Sequence, residues 1–327
     1  MPLPTDERIL ALAQDIIRQF DTLFGLHPGF RPAHAKGAML SGTFTPSGAG
    51  ASAVTRAPHI QRPSTPVTVR FSNSTGLPML ADNDANADPR GMAIRFNLAE
   101  HSHTDIVAHG TDGFPTRTGE EFLEMLRAIA ATGAAAKTAP KAVGPSPIER
   151  FLGAHPAALA FVQAPKPPPA SFARETYFGV TAFRFTNDRG ASRFGRYRIV
   201  PSAGMEHLDA AAAAAKGADF LFDELRERIA RGPIEFTLLV QLANDGDVVD
   251  DATVHWPVDR SVVELGRIKL DKPVAADEEE AQQRRIIFDP IPRVDGIEPS
   301  ADPLLELRAA VYLISGRRRR GAVATPA

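Results

Sequence analysis

Residues 67–72 read Val67-Thr68-Val69-Arg70-Phe71-Ser72, and their strict alternation decides the fold class. Successive side chains of an extended chain point to opposite faces. Val67, Val69 and Phe71 therefore make one apolar face, while Thr68, Arg70 and Ser72 line the other. Similar segments lie on both sides. HAKGAMLSGTF (34–44) upstream and GMAIRFNL (91–98) and TDIVAH (104–109) downstream predict strands, with an Asp-, Asn- and Pro-rich loop at 81–90. YFGVTAFRF (177–185), SRFGRYRIV (192–200) and IEFTLLVQL (234–242) predict three more. SGAGASAVTRAP (47–58) predicts a mobile connection.

Helices frame these strands. Residues 5–24 carry Ile9, Leu10, Ala13, Ile16, Ile17, Phe20 and Leu23 at helical spacing behind a Thr5 N-cap. Thr118 and Glu121 form a capping box ahead of Phe122, Leu126 and Ile129, with a stop at Gly133. Ser146 and Pro147 open a short helix, and Pro156 restarts one. APKPPPAS (164–171) is extended, and another helix occupies 218–231 before Gly232-Pro233. Residues 257–300, proline-rich and aperiodic, predict a wrapping loop, and a last helix starts near Asp302-Pro303. Helix, strands, helices, strands, wrapping loop, helix is an α+β order with a mainly antiparallel sheet.

Composition narrows the function classes. Of 327 residues, 43% are hydrophobic and 23% charged, which is the balance of a packed globular chain. A formal charge of −2 offers no general attraction to nucleic acid or an anionic membrane. Without cysteine there is no disulfide, thiolate nucleophile, iron–sulfur cluster or thioether-linked haem. The N-terminus lacks a signal-peptide pattern, and no run of about 18 apolar residues occurs, so the cytoplasm is expected.

Two patterns carry chemistry. Arg31 and His34-Ala35-Lys36-Gly37 precede the strand on which Arg70 and Ser72 share a face, so basic and hydroxyl groups can reach one cavity. Arg308 and Tyr312, four apart, share a helix face. A cation beside a phenol favours phenolate, the form that binds ferric iron. Each pattern alone has an ordinary structural reading: a satisfied strand histidine, a surface Arg–Tyr pair. Arg317–Arg320 alone reads as a solvated tail.

In combination these segments resemble the catalase superfamily. Arg31 with His34–Gly37 matches its distal signature, Arg70-Phe71-Ser72 its strand motif, and Asp88-Pro89-Arg90-Gly91 its turn. FLGAHP (151–156) matches a helix junction, and residues 288–312 carry Phe-Asp-Pro, Gly-Ile-Glu-Pro-Ser and Arg-x-x-x-Tyr, followed by Arg317, Arg319 and Gly321. The resemblance covers roughly residues 28–321 in colinear order, and the chain looks like the short catalase-related peroxidases. It implies a closed antiparallel β-barrel with appended helices: a helical arm at 1–30, a haem-binding domain at 31–321 and a tail at 322–327. It further implies non-covalent haem b, with Tyr312 as axial iron ligand supported by Arg308, and His34 as distal acid–base oriented by Ser72. Arg31, Arg70 and Arg319 would bind the propionates, Phe122 stack on the macrocycle and Phe114 line the distal pocket. The expected activity is peroxide reduction by small organic donors in a monomer or small homo-oligomer.

The chain departs from the family pattern in three places. His109 stands where the family has a distal asparagine, and a charge on it near neutral pH would repel a protonated His34; weak disproportionation is expected. Only 33 residues precede His34 and 15 follow Tyr312, so the threaded arm, C-terminal helical domain, interlocked tetramer and nicotinamide-nucleotide site of larger members are not expected. Ala33 replaces a valine beside the distal histidine, opening the pocket. The competing readings are a fatty-acid hydroperoxide isomerase like the allene oxide synthases, a haem carrier without turnover, and a zinc site from His101, His103 and His109.

Overall fold

The computed structural model describes residues 3–138 and 144–322, so the tail at 322–327 is represented by Ala322 alone. Helix α1 (Glu7–Phe24) precedes strand β1 (Gly37–Pro46), the short helices α2 (Ala49–Val54) and α3 (Pro58–Gln61), and strands β2 (Thr65–Ser72), β3 (Gly91–Ala99) and β4 (Ser102–His109). Three helices follow, α4 (Gly119–Thr138), α5 (Pro147–Ala154) and α6 (Pro156–Gln163), then β5 (Tyr177–Phe178), β6 (Phe183–Thr186) and β7 (Ser192–Pro201). The chain continues through α7 (Ala210–Ala214), α8 (Phe220–Arg231), β8 (Ile234–Leu242), β9 (Val262–Pro273), α9 (Ala276–Arg285), β10 (Ile297–Pro299) and α10 (Leu304–Gly321).

Every strand pairing is antiparallel, and the sheet closes. Neighbours run β1-β2-β3-β4-β5-β7-β8-β9 and back to β1, while β6 and β10 extend one edge of β7. The apolar face of Val67, Val69 and Phe71 points into this 8-strand barrel. There Phe71 packs between Phe172, Tyr177 and Phe236, at ring-centroid distances of 5.4, 6.0 and 6.0 Å. The side chains of α1, α4 and α10 make a second core outside the barrel, where Ala13, Ile16, Leu123, Leu126, Leu307 and Ala310 meet.

Several local expectations change. The largest concerns 257–300, which is not merely a wrapping loop: β9 within it pairs with both β1 and β8 and closes the barrel. A register shift at Leu238/Leu239 on β8, opposite Gly266, interrupts the alternation that would have marked β9. A Cβ on Gly266 would collide with the Thr45 carbonyl of β1, so the bulge needs glycine. The stretch 47–58 holds α2 and α3 rather than a mobile link, and α4 runs through Gly133 to Thr138. Asp6, not Thr5, caps α1, its carboxylate accepting from Arg8 N at 2.8 Å. Residues 177–185 form two short strands with a break between them. The first strand begins at Gly37, leaving His34 in a turn with a left-handed φ of 56°.

Candidate functional site

Strand register assembles one end of the site. Ser72 pairs with Gly37 on one side and Gly91 on the other, and Gly91 pairs with His109. Gly37, Ser72, Gly91 and His109 thus form a row across the ends of β1–β4, and His34 folds over it. Its Nδ1 lies 3.2 Å from Ser72 Oγ. The contact depends on bare backbone beneath: a Cβ on Gly91 would sit 2.5 Å from Ser72 Oγ and 2.9 Å from His34 Nδ1. Left-handed backbone is costly for a non-glycine residue, and the surroundings hold it here. Ala35 N donates to Thr75 O at 3.0 Å, and Arg70 Nη2 donates to the carbonyls of His34 and Ala35 at 3.0 and 3.1 Å.

Burial sets the charge of both histidines. Desolvation, reinforced by Arg70 and then by Arg31 and Arg308, lowers the His34 pKa to about 4. Desolvation, with His34 and Arg308 adding to it, lowers that of His109 to about 3. Both rings are neutral near pH 7, so the expected repulsion between charged imidazoles is absent. His109 Nδ1 is buried without a hydrogen-bond partner among the described residues.

The second wall is α10. Arg308 and Tyr312 face together, Arg308 Nη2 donating to the phenol oxygen at 3.2 Å and Nη1 to Thr181 Oγ1 at 3.2 Å. Arg308 acts on both histidines, and Tyr312 on Arg31, so the two walls share one electrostatic space. Between them lies a knot of guanidinium groups. Arg31 Nη2 and Arg319 Nη2 converge on the Ile286 carbonyl, at 3.2 and 2.9 Å. Arg319 Nη1 donates to Ser315 Oγ at 2.6 Å, and its Nε has no partner among the described residues. Among the described residues none of Arg31, Arg70 and Arg319 pairs with a carboxylate within salt-bridge distance. Burial lowers all three, with Arg70 and Arg319 adding to it at Arg31, Arg319 at Arg70 and Arg320 at Arg319; Arg70 falls to about 9 and Arg319 to about 10. Such a cluster suits an anionic partner. A phenol opposite two imidazoles, with forked donors waiting for carboxylates, is a donor set that suits an iron porphyrin carrying two propionates.

Phe114 and Phe122 pack against each other at 5.2 Å with a 46° tilt. Phe122 also meets Phe20 of α1, and Phe114 packs with Val180, Ala252 and Leu304. The zinc alternative fails on geometry: His103 and His109 stand at opposite ends of β4, roughly 20 Å apart at strand rise, and no metal-like cluster occurs among the described residues. Sequence reasoning missed Gln283 on α9, which accepts from Arg70 Nε at 2.9 Å and donates to Gly37 O at 2.8 Å. It also missed Thr181, Ser315 and the spacing role of Gly91. The Asp88–Gly91 turn serves the barrel rim, with Arg90 buried and donating to Asn73 Oδ1 and Asp82 O at 2.7 and 2.6 Å.

This arrangement agrees with the comparisons to known proteins, in which the Catalase family model matches residues 29–325. The chain belongs to the catalase family. It is 36% identical over 309 residues to a catalase-related peroxidase of Mycolicibacterium paratuberculosis, covering 92% of this chain and 94% of that one. It is 33% identical over 310 residues to a catalase-related peroxidase of Synechococcus elongatus, covering 94% and 88%. A fungal catalase crystal structure superposes with a TM-score of 0.76 at 23% identity, covering 98% of this chain. This catalase-family chain spans 64% of the length of that fungal protein. No helix among its described residues is long and apolar enough to cross a membrane.

Proposed function

We propose that this chain is a peroxidase holding non-covalent haem b between His34 and Tyr312, and that it reduces peroxide with electrons from small organic donors. The chain is an oxidoreductase acting on peroxide. The observation that carries the finer reading is the buried guanidinium cluster with no carboxylate partner among the described residues, within coulombic reach of both the Arg308–Tyr312 pair on α10 and the neutral His34 at the strand ends. Haem iron, when bound, supplies the centre at which the peroxide O–O bond breaks. Tyr312 would ligate it, with Arg308 orienting the phenol oxygen. Arg31, Arg70 and Arg319 would receive the propionates; Phe122 and Phe114 would pack against the ring and the distal space. Residues 31–321 form the cofactor-binding unit, with 1–30 as an arm against it.

The histidine is built for a proton shuttle. In the tautomer whose Nδ1 carries the proton and donates to Ser72 Oγ, Nε2 keeps its lone pair and would take the peroxide proton and return it to the departing oxygen as water. One peroxide and two donors DH give two waters and two radicals D•, each donor losing one electron and one proton. Disproportionation needs a second peroxide held beside the histidine, where the His109 ring fills space that a smaller amide would leave. Catalase activity should therefore be weak. A haem carrier has no use for the His34–Ser72 pair. The test loads the protein with haem and compares dye oxidation with oxygen evolution from hydrogen peroxide. Fast dye oxidation with slow oxygen release is expected; equal rates overturn the reading.

A further inference from the structure

We propose that the electron donor is a small organic anion that docks in an arginine-lined cavity between α9 and the end of α10. This rests on the peroxidase reading above. The cavity encloses about 700 Å³ and is lined by Arg284, Arg285, Arg319 and Arg320, with Glu280 as its one acid among the described residues. That volume is in the range of small-molecule sites, roughly 300–1,000 Å³.

Its charge is unbalanced. Glu280 is taken by Arg284, Oε1 to Nη2 at 2.6 Å. Arg285, Arg319 and Arg320 have no ion pair among the described residues, the salt bridge of α9 being that of Arg284 and the nearest one on α10 that of Arg318 with Asp21. Arg320 instead donates through Nε to the Arg285 carbonyl at 3.1 Å, which holds the two ends together. The chain as a whole carries −2, so this concentration of cations is local. A cleft of one sign focuses field and gathers ligands of the other. Arg319 supplies the link to the reaction. It is 4% exposed, its Nε is unpartnered among the described residues, and it belongs both to the cavity wall and to the buried cluster assigned to the propionates. A donor held in the cavity would lie against Arg319, the side chain assigned to a propionate, and electron transfer, unlike peroxide cleavage, would need no contact with iron.

The experiment uses the haem-loaded full chain and three probes: a disulfonated aromatic dye as anionic donor, an uncharged methoxyphenol donor, and redox-inert naphthalenesulfonate for calorimetric binding. KM for the dye should rise with ionic strength while that for the phenol does not, as screening shortens from about 30 Å at 0.01 M to about 3 Å at 1 M. Arg285→Glu and Arg320→Glu together should raise the ratio of dye KM to phenol KM roughly tenfold and weaken naphthalenesulfonate binding by a similar factor. Arg285→Gln should give a smaller change in the same direction. Equal salt dependence for both donors, or a ratio that does not move in either variant, overturns the docking site while leaving the peroxidase intact. Naphthalenesulfonate binding with no oxidation of either donor overturns the peroxidase reading and the donor role with it.

Discussion

Lowering the pH from 7 to 5 should leave the reaction with peroxide almost unchanged, although a histidine is its proton acceptor. The acceptor form is neutral His34, whose pKa burial and Arg70 lower to about 4. At pH 5 such a group is still ~90% neutral, whereas an ordinary imidazole of pKa 6.5 would be only ~3% neutral. The expected loss of rate between pH 7 and 5 is therefore about 10%, against about 25-fold for an unperturbed ring. The sign follows from the direction of the shift: a depressed pKa moves the acid limb downwards, with half the rate remaining near pH 4. Stopped-flow mixing of haem-loaded protein with hydrogen peroxide, followed in the Soret band after a jump to each pH, measures the limb. His34→Ala should lower the rate by ~10²–10⁴-fold and abolish the limb. Ser72→Ala, losing one hydrogen bond worth about 1 kcal/mol, should cost far less. A wild-type rate that falls through pH 6.5 would refute the assignment of His34 as a desolvated base.

Three further outcomes are expected. Tyr312→Phe should abolish stable haem binding, read as loss of the Soret band after desalting, while Arg308→Ala keeps the haem but reacts more slowly with peroxide. His109→Asn should raise oxygen evolution more than dye oxidation; an equal change in both contradicts the crowding argument. His59 is 1% exposed, both ring nitrogens lack partners, it lies against Phe96 at 4.6 Å, and burial lowers its pKa to about 3. Between that value and 6.5 the unfolded chain binds a proton that the folded chain refuses, so stability is lost as pH falls. His59→Leu should stabilise the fold, and its advantage should grow by about 2 kcal/mol from pH 7.5 to pH 5 in denaturant titrations.

Legibility in the sequence tracked how much of each element's logic is local. The β2 alternation was readable, and so was the pairing of Arg308 with Tyr312, because helix spacing alone sets it. Colinear motifs carried the family. β9 was hidden because its bulge beside Gly266 splits the period-two alternation of VELGRIKLD (263–271) into short pieces within an otherwise proline-rich stretch. α9 was hidden because Ala276–Arg285 has no apolar stripe, so Gln283 gave no sign of locking Arg70. The short β5 exists only through its partners, His109 and residues 198–199 of β7. The neutrality of His109 could not be read at all, since burial is a property of the folded ring and not of its neighbours in sequence.

The site's two walls come from opposite ends of the chain, His34 before the first strand and Tyr312 in the last helix, and this sets a timetable. While the protein is being synthesised, β1 to β4 can zip as consecutive neighbours, but β1 waits for β9 to close the ring. The phenol and Arg319 leave the ribosome later still. On the proposed roles of Tyr312 and Arg319, cofactor capture belongs to the end of maturation. A nascent chain arrested before α10 would own a barrel and a histidine with nothing opposite them.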